Sequence, residues 1–311
     1  MKIILTGASG MIGSRFEELM FENHEIIPLS SEDGVDITDK ESIAAFLEDK
    51  DADIMIHLAA KTDVDGCETD KSTDLGILNI EEKDIESLDI KSLKSDEWKG
   101  KKTAFAINAI GTKNLYEVAK EKGMKFVYIS TDFIFSGNED EYSEESAPNP
   151  VDWYGSTKYF GEKIVDISKD LIVRLSFPYG YLSPVKKDVV WKLYDFIKER
   201  EEVSLISDQT ITPTFIDDIV EGLVFLLQKD AVGTLHLTGS SYLSPKEIGE
   251  KIKDAFGFNT IINESHLADV YNGKAERPFK SIMRNDRIKN LGFKPKTFDE
   301  GLELIGTGSF D

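Results

Sequence analysis

Cysteine is nearly absent: Cys67 is the single one in 311 residues, so no disulfide can close within the chain. A reducing, cytoplasmic setting is therefore the expected location. Cys67 sits in an acidic, loop-like stretch with no histidine beside it, which argues against a thiol nucleophile or ligand. Histidine is also scarce. His24, His57, His236 and His266 are scattered without metal-ligand spacing, so no metal is expected. No apolar run approaches the roughly 18 residues that cross a membrane. Met1-Lys2-Ile3-Ile4-Leu5 runs straight into a glycine turn, so no signal peptide is expected. Basic residues are outnumbered, 37 Lys plus Arg against 58 Asp plus Glu, for a net charge of −21. That balance argues against nucleic acid or an anionic membrane as partner. An anionic small ligand stays compatible with it, because a pocket can be locally positive.

What is present supports a sizeable core. The 40% hydrophobic content fits one large domain or two smaller ones. Short apolar runs alternate with helical patterns through the first half. Strands are expected at Lys2–Leu5, Glu25–Leu29, Ile54–Leu58, Phe126–Ser130 and Leu171–Leu175. Helices are expected at Met11–Phe21, Lys40–Leu47, Asn108–Lys120 and Tyr154–Ile167. Such alternation predicts an α/β fold, a Rossmann-type doubly wound parallel sheet covered on both faces. The acidic stretch from about 66 to 103 breaks the rhythm and reads as an insertion, an excursion or lid with some short helix. Later segments predict helices over Val189–Lys198 and Asp217–Leu227 and a strand over Gly233–Leu237. Ser244-Pro245-Lys246-Glu247 has the form of a helix start, with Ser as cap, Pro first and Glu third. The expected division is a dinucleotide domain over 1–176, with 214–240 returning to it. A smaller C-terminal substrate-binding lobe is expected from 177–213 and 241–311.

Between the first strand and first helix lies Thr6-Gly7-Ala8-Ser9-Gly10-Met11-Ile12-Gly13. Glycines at Gly7, Gly10 and Gly13 allow a tight turn, a close approach of backbone to a pyrophosphate, and close packing of helix on sheet. Free amides at the helix start then face the phosphates. Ser9, Met11 and Ile12 belong to that cradle. Ser30, at the end of the second strand, is not acidic, which leaves room for a 2′-phosphate, although Glu32 and Asp33 would repel one. Arg15 is a phosphate partner by position. The cofactor is thus NADP or NAD, with a slight lean to NADP.

Tyr154-Gly155-Ser156-Thr157-Lys158 places a phenol and an ammonium one helical turn apart, leaving the same face. The ammonium should favour the phenolate and lower the tyrosine pKa, so that the pair exchanges a proton as hydride moves. Ser130-Thr131-Asp132 ends a strand at the carboxyl edge, where open α/β sheets bind ligands. Thr131 is the natural third member, bonding the substrate oxygen.

The glycine spacing and Tyr154–Lys158 resemble the extended short-chain dehydrogenase/reductase superfamily. Over nearly the whole length the sequence resembles the dTDP-4-dehydrorhamnose reductases. The resemblance rests on Thr6 to Gly13, Ala59-Ala60-Lys61-Thr62-Asp63-Val64-Asp65, Asn108 to Thr112, Ser130 to Gly137, Tyr154 to Lys158, Asp208-Gln209 with Pro213-Thr214, and Arg277-Pro278. It implies Thr131, Tyr154 and Lys158 as catalytic residues. It implies Asp36 and Ile37 at the adenine, and Leu58, Ala59, Ala60 and Lys61 along the cofactor. Val64, Asp132, Phe133, Phe177 and Arg277 would face the sugar. The implied reaction is NAD(P)H-dependent reduction of a nucleotide-linked 4-keto-6-deoxy sugar, in an assembly for which a homodimer is one form. Phe133 and Phe177 depart from the tyrosine and tryptophan common in the family and bear on the substrate. Dehydratases carry Glu after Thr-Asp, so Phe133 favours a simple reductase. The alternatives are a C4 epimerase and a non-catalytic subunit similar to the methionine adenosyltransferase beta subunit.

Overall fold

The computed structural model describes residues 1–180 and 187–307. Residues 181–186 and 308–311 of the expected substrate lobe lie outside them. The continuous apolar runs become β1 (Lys2–Thr6), β2 (Glu25–Leu29), β3 (Ile54–His57), β4 (Lys125–Thr131) and β5 (Leu171–Leu175). Every residue of β3 and β5 is buried, as a strand covered on both faces requires. Between them run α1 (Met11–Met20), α2 (Lys40–Phe46), α3 (Val64–Leu78), α4 (Thr112–Glu121) and α5 (Trp153–Ile164). The sheet order is β2-β1-β3-β4-β5 followed by the strand Gly233–His236, and β1 pairs in parallel with both β2 and β3. The chain builds outward from β1 in one direction and then returns to its other side. That reversal puts the switch point, and the expected ligand crevice, at the carboxyl ends of β1 and β3.

The chain packs as two compact units. The first comprises Met1–Ile134, Pro150–Val173 and Val232–Thr234; the second comprises Phe135–Asn149, Arg174–Ala231 and Leu235–Asp311. In the second unit β6 (Pro178–Tyr179) pairs with β8 (Thr214–Phe215), and β7 (Glu202–Ile206) with β10 (Ile261–Ser265); β9 is the sixth strand of the main sheet, Gly233–His236. Helices α6 (Val189–Lys198), α7 (Ile216–Gln228) and α8 (Pro245–Phe256), with the helix Phe298–Thr307, supply its apolar layers. Helix α8 begins as its sequence predicts: Ser244 and Glu247 form a capping box with Pro245 in the first turn.

The stretch from 66 to 103, expected as an excursion or lid with some short helix, is helical over much of its length. Most of α3 lies within it, followed by 3-10 turns at Glu82–Ser87, Ile90–Ser92 and Asp96–Trp98. Trp98 and Ile90 are almost completely buried, and Leu75, Ile77, Leu78, Ile85, Leu88 and Leu93 partly so, in a cluster shared with Phe105, Trp153, Tyr154, Phe160 and Ile164. A large side chain so removed from water contributes about 1.5–3 kcal/mol, enough to hold the stretch against α5. Cys67 correspondingly lies buried on α3 with its thiol pushed up to about 12 by desolvation, which leaves it unreactive.

The expected helix over Asn108–Lys120 is a composite. Ala106–Gly111 is π-helical and runs into α4. A π turn is a widened turn often found at functional sites, and this one carries Asn108.

Candidate active site

Gly7 turns the chain out of β1 with φ +70, and a Cβ there would stand 2.7 Å from the Ala59 backbone nitrogen. A Cβ on Gly13 would stand 2.2 Å from the Gly7 carbonyl. Both positions therefore require glycine. Gly10 caps α1 without a side-chain hydrogen bond, and the first turn carries no acidic side chain. Its amides are directed along the helix axis with nothing anionic competing, which suits a phosphate group. Ser9 is exposed here, while Met11 and Ile12 are half-buried.

A buried polar chain links this turn to the neighbouring strands. The Ala59 amide donates to Thr6 Oγ1 (3.1 Å), and Thr6 Oγ1 lies 2.7 Å from His57 Nδ1. His57 Nε2 lies 3.0 Å from Thr112 Oγ1, which donates to the Asn108 carbonyl (2.7 Å). With Thr112 committed as donor, His57 Nε2 must carry the proton and Nδ1 must accept from Thr6. Burial holds the imidazole well below its ordinary pKa, so it is neutral. The Asn108 side chain continues the chain. Its Oδ1 accepts from the Lys61 amide (2.8 Å), and its Nδ2 donates to the Lys61 carbonyl (3.0 Å) and to Thr157 Oγ1 (3.0 Å). Thr157 donates to the Tyr154 carbonyl (2.9 Å). The glycine turn, the segment Leu58–Lys61 and the Tyr154–Lys158 helix are thus connected within the first unit.

Tyr154 and Lys158 leave α5 buried, at 9% and 3% exposure. Thr131, at the end of β4, lies close enough to the Tyr154 hydroxyl to act on its pKa. The Phe133 ring meets the phenol edge-on at 5.5 Å, and Val64 packs against the same cluster. Asp132 is buried, and Thr131 Oγ1 donates to its carboxylate at 3.2 Å. The expected lowering of the tyrosine pKa by the ammonium is not what the site shows. Lys158 Nζ donates to the Ile129 carbonyl (2.6 Å) and lies 4.2 Å over the Tyr128 ring. Burial pushes the phenol above its ordinary value, offset in part by Thr131. Burial likewise lowers the Lys158 ammonium to about 7, with Glu162 opposing.

The other expected positions divide by unit. Asp36 accepts from the Thr38 amide (2.9 Å) and hydroxyl (2.7 Å), and Ile37 packs where a Cβ on Gly111 would stand 2.8 Å away. The Lys61 ammonium pairs with Asp70 at 2.5 Å. Arg15 pairs with Glu18 at 2.9 Å. In the second unit, Phe177 has φ +40, a strained conformation for a bulky residue and one that concentrates at ligand sites. Arg277 there donates to the Ala275 carbonyl (2.6 Å) and lies 4.5 Å over the Tyr271 ring.

Sequence reasoning passed over Thr6, His57, Thr112 and Thr157. Only the alignment of strand ends in the parallel sheet brings them together. It also missed Glu68, Asp70 and Asp74, three carboxylates of α3. Among the described residues no group of His, Cys, Asp or Glu has a metal-binding arrangement, and no helix is long and apolar enough to cross a membrane.

Comparison with known proteins places the chain in a family. The family model described as the RmlD substrate binding domain matches residues 1–85 and 95–307. The chain is 30% identical to the probable low-salt glycan biosynthesis reductase Agl14 of Haloferax volcanii, over 98% of this chain and 97% of that one. It is 24% identical to a dTDP-4-dehydrorhamnose reductase of Aggregatibacter actinomycetemcomitans, over 98% of each. The solved dTDP-4-dehydrorhamnose reductase of Bacillus anthracis, in complex with NADP, is 29% identical and superposes with a TM-score of 0.81 over 98% of each chain.

Proposed function

Because the chain belongs to the RmlD substrate binding domain family, we propose that it is an NAD(P)H-dependent reductase of a nucleotide-linked 4-keto-6-deoxy sugar. The observation that carries this reading is the buried Tyr154 beside Thr131, one helical turn from Lys158, on a helix tied through Asn108 to the Leu58–Lys61 segment behind the glycine turn. The turn fits a dinucleotide, since Gly7 and Gly13 admit no side chain and the α1 amides face outward without an acidic neighbour. Gly7 to Gly13 would hold the pyrophosphate, Asp36 and Ile37 the adenine, and Leu58 to Lys61 the central part. When bound, the dinucleotide supplies a hydride to the sugar carbonyl carbon.

The chain's own residues supply the rest. The raised pKa keeps Tyr154 protonated at neutral pH, the form that a reduction consumes. Its hydroxyl gives its proton to the forming alkoxide while Thr131 holds both oxygens in line. Lys158, one turn along the same helix with its Nζ on the Ile129 carbonyl, would hold the ribose of the bound dinucleotide beside Tyr154. Val64, Asp132 and Phe133 are the residues of the first unit proposed to face the sugar. The single, buried, free cysteine accords with a cytoplasmic enzyme.

The test is NAD(P)H oxidation with a dTDP-4-keto-6-deoxy sugar, comparing the native chain with Tyr154→Phe. A loss of about a hundredfold or more is expected. An unchanged rate removes Tyr154 from the chemistry. Cofactor binding without turnover favours the non-catalytic alternative, and NAD that purifies tightly bound favours the epimerase.

A further inference from the structure

Helix α3 carries a carboxylate that the reaction does not use. Asp74 is completely buried, and a single oxygen, Oδ2, accepts from two donors: the Phe105 amide at 3.0 Å and Trp153 Nε1 at 2.9 Å. Phe105 immediately precedes the π turn, and Trp153 is the first residue of α5, next to Tyr154. The Thr103 hydroxyl lies beside the same carboxylate. Nearly two turns earlier on α3, Glu68 accepts from the Trp153 amide at 2.8 Å. Trp153 is thus held by its main chain and by its indole from the same helix.

Such a group is costly to keep in a core. A carboxylate taken from water without a cation loses its hydration, and burial pushes Asp74 above the usual carboxylate range. An apolar side chain would fill the space at less cost but would fix no direction. The carboxylate oxygen fixes two. It ties the indole of Trp153 to the backbone that leads into the π turn, and so sets the rotation of the first turn of α5. Tyr154 leaves that turn and must place its hydroxyl against Thr131. A rotation that moves the phenol by about 1 Å is enough to cost a large factor in rate.

We propose that Asp74 is a positioning residue for Tyr154, acting through Trp153 as a buried clamp between α3 and the first turn of the catalytic helix. The proposal rests on the reading of Tyr154 as proton donor. An Asn at 74 keeps an oxygen for both donors and turns its amide toward the Thr103 hydroxyl, so it preserves the clamp; Ala removes it. Trp153→Phe removes the indole N–H and keeps an aromatic ring, so it tests the same contact where Asp74→Ala fails to fold.

Two measurements decide it: turnover per NAD(P)H-binding site, and hydrogen exchange of the backbone amides at 153–157. Asp74→Ala and Trp153→Phe should lower kcat at least about tenfold per binding site, with exchange at 153–157 faster by a similar factor and α1 unchanged. Asp74→Asn should stay within about threefold of the native chain in both. Unaltered exchange at 153–157, or native kcat per site with that exchange accelerated, overturns the clamp. So does a loss of protection spread evenly over α1 and α5. A native chain that turns over nothing defeats the proposed function, and the exchange data then still separate a clamped from an unclamped helix.

Discussion

Gly155 follows Tyr154 directly, and its lack of a side chain sets how closely the strand-end turn approaches the catalytic helix. A Cβ at this position would stand 2.0 Å from the Phe133 carbonyl oxygen and 2.8 Å from its carbon, whereas ordinary contact begins at 3.4 Å. The obstacle is backbone, so Gly155→Ala must widen the gap by about 1.4 Å, the difference between 3.4 Å and 2.0 Å. Phe133 cannot retreat alone. Its amide donates to Thr131 Oγ1 (3.3 Å) and its ring meets the Tyr154 ring. The displacement therefore separates the Thr131 hydroxyl from the phenol. A misplacement of about 1 Å at reacting groups costs about a hundredfold, and overpacking a filled site costs about 1–3 kcal/mol. The assay is kcat/KM for the nucleotide sugar, with NAD(P)H affinity by fluorescence and thermal unfolding alongside. Gly76→Ala is the matched control. That glycine is exposed on α3 with nothing within 4 Å of an added Cβ, so the same substitution should stabilise by about 0.5–1 kcal/mol. Gly155→Ala with kcat/KM within about threefold of native would refute the reasoning, because the turn would have given way without disturbing the hydroxyls.

Two further outcomes are expected. Lys158 is held near 7 in the folded chain against an ordinary 10.5. Between those values the unfolded chain binds the extra proton, so this group's contribution to stability rises with pH from about 7 toward 10. Lys158→Met should therefore stabilise most at pH 7 or below, by at most about 5 kcal/mol, with the gain fading above pH 10; paired unfolding curves across that range check it. At the end of β2, the Asp33 carboxylate accepts from the Ser30 amide (3.0 Å) and hydroxyl (2.7 Å). Asp33→Ala should raise kcat/KM for NADPH relative to NADH by about threefold or more, since a negative charge leaves the ground where a 2′-phosphate would approach.

The sheet could be read from the chain because each of its first five strands is built on an apolar run. Glu25–Leu29 and Leu171–Leu175 fall where the runs of Ile, Val and Leu place them, and the helix Val189–Lys198 keeps its expected bounds. The glycine turn was legible for the same local reason, as were Tyr154 and Lys158 one turn apart. Helix α3 was not. Its inward positions include Cys67, Asp70 and Asp74, so polar contacts replace the apolar stripe that marks a helix. Nor was the polar chain through His57. Thr6 and His57 are 51 residues apart, and Asn108 and Thr157 are 49 apart, so each partner looks ordinary until the sheet aligns them. The π turn has no sequence mark, and the pKa of Tyr154 depends on burial that no spacing reveals.

Residues 86–94 fall in the gap between the two segments matched by the family model, yet Ile90 among them is 2% exposed and shares a cluster with Phe160 and Ile164 of α5. An extra stretch that shares the core of the helix bearing the reactive pair can no longer be exchanged for a shorter connection from a relative. A chimaera joining 85 directly to 95 would bare the back of α5 to solvent, and its cost would be felt in turnover as well as in melting. Anyone trimming this protein toward a minimal scaffold should expect surface grafts elsewhere to be cheaper than this one.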